Sequence, residues 1–190
     1  MTCSVGVLNG AGINENAWNR HLNAIGRLDI GHEHAGPRFS ASYMGGKNAL
    51  GDRMDMWGIE LSYKNGPVIV ESEFAKRYLD LGGDVDIMTA AVVNAMYFFR
   101  LPDNIFAKTI VPQLRWDMGE NIKFVNLRRA MDSFDTHRVT VGLCFGLTER
   151  VVQSEVRLNY EHYFLDGKPV DYSDNPLLQN KFTVEFFARF

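Results

Sequence analysis

Charged side chains recur at every second position through much of this chain, in runs that otherwise read apolar. They are Arg27, Asp29, Arg38, Glu60, Glu71, Glu73, Arg77, Arg115, Asp117, Arg138, Glu155, Arg157, Glu161, Glu185 and Arg189. Two carboxylates brought close together could divide acid and base roles, and Glu71, Glu73, Asp117 and Glu155 are the candidates. With so many charges on alternating positions, however, some neighbouring pair is expected by chance, and none is singled out. The histidines are His21, His32, His34, His137 and His162, and none stands at a recognisable spacing from Ser72, Ser133 or Ser154. His32-Glu33-His34 falls in a turn, and a metal ion there would need further ligands that the sequence does not nominate. Cys3 and Cys144 lie far apart without metal-ligand spacing, and GxSxG, phosphate-loop and HExxH patterns are all missing. The expectation is no catalysis, no metal and no cofactor.

The 190 residues suit a single domain spanning 1–190. Net charge is -3, from 20 Lys plus Arg against 23 Asp plus Glu, so nucleic acid is not an expected partner. No run reaches the 18 or so apolar residues of a spanning helix. Met1 leads into Thr-Cys-Ser-Val-Gly-Val without a basic n-region, so a secreted chain of this kind is expected to be either a mature fragment or a chain that begins inside a longer one.

The dominant period is two, that of a β-strand. Val139, Val141, Leu143, Phe145 and Leu147 oppose Arg138, Thr140, Gly142, Cys144 and Gly146. Trp57, Ile59, Leu61 and Tyr63 oppose Met56, Gly58, Glu60 and Ser62, after which Asn65-Gly66 marks a tight hairpin. Comparable runs cover Ser4–Leu8, Leu22–Ile30, Arg38–Met44, Val68–Arg77, Lys108–Met118, Glu155–Phe164 and Lys181–Phe190. Pro112 removes a ladder donor, so a bulge is expected there. Ile87–Phe99 is Ala-rich and apolar on both faces; helix competes there, and its β-branched and aromatic ends favour strand. The segment with Phe124, Val125, Leu127 and Arg128 reads equally as a loop or a short helical turn.

About ten strands, most of them near the 9 to 11 residues that cross a bilayer at a tilt, suggest an all-β antiparallel transmembrane β-barrel. Arg115, Arg138, Arg157 and Arg189 would line its lumen beside Glu71, Glu73, Glu155 and Glu185, and Trp57, Tyr63, Trp116, Tyr160 and Phe164 would form interfacial girdles. Short turns alternate with longer Gly-, Asn- and Asp-rich connections, as in such barrels. The function that follows is a bacterial outer-membrane porin passing small hydrophilic solutes or ions. The competing reading is a soluble or surface-attached β-rich binding or structural protein without catalysis, since a two-faced sheet alternates in water as well.

Gly6-Val-Leu-Asn-Gly-Ala-Gly12, Trp57-Gly-Ile-Glu-Leu-Ser-Tyr63, Val70-Glu-Ser-Glu-Phe74, Pro112-Gln-Leu-Arg-Trp-Asp117 and the ending Asn180 to Phe190 resemble the C-terminal portion of the phosphate-selective porin O and P family. The resemblance implies a homotrimer of larger barrels, about 16 to 18 strands each, of which this chain holds part. It also implies contact with outer-membrane lipid and the barrel assembly machinery, the latter through a terminal signal of Phe182, Val184, Phe186 and Phe190. The chain departs from the family in lacking a Lys-rich loop, so phosphate specificity does not carry over.

Overall fold

The computed structural model describes residues 1–9, 22–32, 35–47, 51–82, 84–102, 107–122, 125–126, 129–130, 134–148, 153–166 and 179–189. Ten long strands follow one another across a single antiparallel sheet. They are β1 (Thr2–Asn9), β2 (Leu22–Gly31), β3 (Gly36–Lys47), β4 (Arg53–Asn65), β5 (Val68–Asp80), β6 (Val85–Tyr97), β8 (Thr109–Ile122), β11 (Phe134–Thr148), β12 (Gln153–Asp166) and β13 (Lys181–Arg189). The short β7 (Phe99–Arg100) adds to β8, and β9 (Val125–Asn126) pairs separately with β10 (Arg129–Ala130), so a small hairpin lies where loop or helical turn was expected.

Each long strand pairs with its neighbours in sequence, and register preserves the two faces throughout. Arg138 lies opposite Asp117 on one side and Tyr163 on the other, and Leu114, Val141, Tyr160 and Phe182 form one continuous row on the other face. The Asn65-Gly66 hairpin joins β4 to β5, and Gly66 takes a positive φ of 55° that an L side chain would resist. β6 is a strand because both its neighbours pair with it, which overrides the helical preference of its alanines.

Pro112 brings no shift of register. The β8 ladder is interrupted instead: pairing with β6 ends at Met96↔Gln113 and resumes with β7 at Phe99↔Ile110. The Phe98 amide, in that gap, donates to the Pro67 carbonyl at 2.8 Å. The register shifts lie elsewhere, between Gly146 and Thr148 and between Phe134 and Thr136.

The expected transmembrane barrel is overturned by the sheet's edges. Among the described residues β1 pairs only with β2 and β13 only with β12, so the sheet is open and not closed on itself. Alternation, strand length and Arg/Glu rows describe a two-faced sheet; closure requires strand number, tilt and stagger to agree, and none of these is set by a period of two. Among the described residues no helix is long and apolar enough to cross a membrane.

Burial runs opposite to the usual sense. The buried residues include Ser40 at 2% exposure and Thr140 at 8% on the polar face, whereas Leu114 at 56% and Phe182 at 65% stand open on the apolar face. A domain normally buries an apolar face against a second layer. No second layer covers this face among the described residues, while on the other side long Arg and Glu side chains lie over their short neighbours.

Candidate functional site

The polar face is held by groups of charge that satisfy one another. On β2, β3 and β4, Arg27 bonds Glu60 through both terminal nitrogens at 2.6 and 2.7 Å, a bidentate fork, and its Nε reaches Asp29 at 3.2 Å. Asp29 also accepts from Ser40 Oγ at 2.5 Å and Arg38 Nη2 at 2.6 Å. The Ser40 hydroxyl, with Arg27 and then Arg38, holds the Asp29 carboxyl well below the usual carboxylate range. Hydrogen bonding to Arg27 likewise lowers Glu60, and Glu60 with Asp29 raises the Arg27 guanidinium.

A second group joins β8, β11, β12 and β13. Asp117 Oδ1 accepts from Arg115 Nε and Nη2 at 2.8 and 2.6 Å, and Asp117 Oδ2 accepts from Arg138 Nε at 3.0 Å. Arg138 Nη1 continues to Glu161 and to the Tyr163 hydroxyl, each at 3.2 Å. Lys181 Nζ lies 3.3 Å from the same Glu161 carboxylate. Burial pushes the Asp117 carboxyl up, but hydrogen bonds from Arg115 and Arg138 outweigh it and the net shift is down. Glu161 follows the same pattern, with Tyr163 and Lys181 overcoming burial.

Nearer the other rim, Arg157 pairs with Glu155 on its own strand and lies 4.2 Å from the centre of the Phe187 ring. Glu155 also accepts from Cys144 Sγ at 3.4 Å. Burial first, then the Glu155 carboxylate, pushes the Cys144 thiol up, which disfavours the reactive thiolate.

Of the residues expected to line a pore, Arg157 and Glu155 meet directly, and Arg157 stands opposite Glu185 in register. Glu71, Glu73 and Arg115 share a recess of 370 Å³ with Arg38, Glu60 and Asn94. Arg138 bonds Asp117 and Glu161, neither of which was among the expected lining residues. Arg189 belongs to β13, but its side chain lies outside the described residues, as does Phe190. Phe182, Val184 and Phe186 occupy the open apolar face of β13. Ser40 and Lys181 were missed; neighbouring strand rows would reveal them only once register is known.

A larger concavity of 1190 Å³ at one rim is lined by Tyr97, Phe98, Phe99, Arg157 and Phe187 among others. Among the described residues no cluster of three or more His, Cys, Asp or Glu could hold a metal ion. His32 is described, whereas Glu33 and His34 lie outside the described residues.

A scan of protein-family models found no match. Searches of curated proteins and of solved structures likewise found none. The resemblance to the phosphate-selective porin O and P family is therefore overturned, by an open sheet and by the lack of any matching porin family. With it fall the porin function, the passage of solutes or ions, and the partners it implied: outer-membrane lipid, the assembly machinery and a trimer. The outer-membrane location rested on a closed barrel and falls for the same reason.

Proposed function

We propose that this chain is a β-rich binding or structural protein that works without catalysis and meets its partner through the apolar face of its sheet. The observation that carries this reading is the reversed burial: on the polar face Arg27 and Arg38 pair with Asp29 and Glu60, and Arg115 and Arg138 with Asp117 and Glu161, while the row Tyr63, Leu114, Val141, Tyr160 and Phe182 stays exposed. A contiguous apolar surface of this extent marks a site of association. The carboxylates support the non-catalytic part. Asp29, Glu60, Asp117 and Glu161 are all shifted down, whereas a general acid near neutral pH needs a shift up.

The test is a triple variant, Leu114→Lys, Val141→Lys and Phe182→Lys. Protein isolated natively should migrate above the mass of one chain, and the triple variant should migrate at a lower mass than wild type with an unchanged far-ultraviolet circular dichroism spectrum. A wild-type protein that stays a single chain, or a folded triple variant that migrates as the wild type does, would contradict the reading.

A further inference from the structure

The two edges of the sheet fit one another across copies, and we propose that β13 of one chain pairs antiparallel with β1 of the next, so that the sheet continues through a second copy of this chain. The pairing uses backbone groups at the edges and is independent of the apolar row. It rests on four features.

The first is direction. The path through the sheet holds ten strands in alternating sense, so β1 and β13 run oppositely, and placing them side by side continues the alternation. The second is facing: Thr2, Ser4 and Gly6 of β1 share the polar face with Arg27 and Asp29, and Lys181 and Glu185 of β13 share it with Glu161 and Arg157. A laterally displaced copy therefore joins polar to polar and apolar to apolar, with Cys3, Val5 and Val7 beside Val184, Phe186 and Ala188.

The third feature is size. β1 and β13 have eight and nine residues, so a centred register pairs all of β1, setting Cys3 opposite Ala188, Val5 opposite Phe186 and Gly6 opposite Glu185. On the polar face Ser4 and Gly6 then meet the longer Phe187 and Glu185, while Leu8 meets Thr183. Pairing two β13 strands about their centre would instead oppose Glu185 to its own copy and Lys181 to Arg189, which is unfavourable.

The fourth is that the β1 strand itself carries none of the residues that usually protect an edge. Thr-Cys-Ser-Val-Gly-Val-Leu-Asn carries no charge and no proline, its register with β2 shows no bulge, and Val5 is 84% exposed. An edge of this kind is a template for another strand. Because the contact joins two different edges, it is head-to-tail and extends to rings or longer assemblies, not to a simple two-fold dimer.

The test uses disulfide trapping in a Cys144→Ser background, with Cys3 as the native thiol and a second cysteine placed by Val184→Cys, Phe186→Cys or Ala188→Cys, one at a time. These three cover the centred register and the two nearest shifts toward the start of β13 that keep the faces matched. Mild oxidation should give disulfide-linked chains of two or more copies for at least one of them. A disulfide within a single chain, or no disulfide for any of the three, would overturn the proposal. A second variant, Thr2→Lys with Ser4→Lys, protects the edge and leaves the apolar row intact. It should weaken self-association about tenfold by sedimentation. An unchanged association constant, or a wild-type chain that never self-associates, would also overturn it.

Discussion

Replacing Asp117 by asparagine isolates one charge at the centre of the polar face. The carboxylate accepts from Arg115 at 2.6 and 2.8 Å and from Arg138 at 3.0 Å, and its side chain is 20% exposed. An asparagine keeps one acceptor and turns an amide donor toward the other guanidinium. Arg138 retains Glu161 and Tyr163, which limits the damage. Charge-assisted bonds contribute about 1.5 to 3 kcal/mol and exposed pairs about 0 to 1, so the half-sheltered position should cost about 2 kcal/mol. That corresponds to a fall of about 1 M in the urea midpoint of a chain this size. The Asp117 carboxyl is lowered in the folded state, so its contribution is complete above the unfolded value of about 3.9 and is lost as pH falls through the folded value. The deficit should therefore be full near pH 7 and shrink in acid as the folded carboxyl takes up its proton. A midpoint at neutral pH equal to wild type, or a deficit of the same size in acid, would refute the reasoning.

Gly46→Ala should destabilise the chain by about 1 to 3 kcal/mol in thermal melts, because a new Cβ would lie 2.8 Å from the Asn23 Cα and overlap its side chain. A melting temperature equal to wild type would count against the close β2–β3 approach. The two thiols should label in separate phases near pH 8: exposed Cys3 quickly, and Cys144 slowly because its thiolate is disfavoured beside Glu155. Cys3→Ser should remove the fast phase alone, and a fast phase that persists would show Cys144 to be the reactive thiol.

The strands were legible in the sequence because a period of two assigns each side chain to a face without knowledge of its neighbours. The facing of Trp57, Ile59, Leu61 and Tyr63 against Glu60 and Ser62 is found as read, and so is that of Leu114 and Trp116 against Arg115 and Asp117. Arg115 with Asp117 is two residues apart on one strand, and such a pair can be read directly. Arg27 with Glu60 spans β2 to β4 and depends on two registers, so the sequence supplies both residues but not the pair. Burial of Ser40 and Thr140 carries no residue-type signal, because it comes from the length of neighbouring arginines and glutamates. Closure was misread for a related reason: an amphipathic strand looks the same in an open sheet and in a barrel, and the edges are decided by geometry beyond the strand.

The openness of the sheet is tested most directly by the distance between its edges within one chain. Spin labels at Cys3 and at a cysteine introduced by Ala188→Cys, in a Cys144→Ser background, can be measured by pulsed electron resonance after dilution with unlabelled chain to suppress contacts between copies. Paired strands would hold the backbones about 5 Å apart and give a narrow, short distance. The open sheet predicts no such intramolecular component, and a dominant short distance in the diluted sample would contradict it.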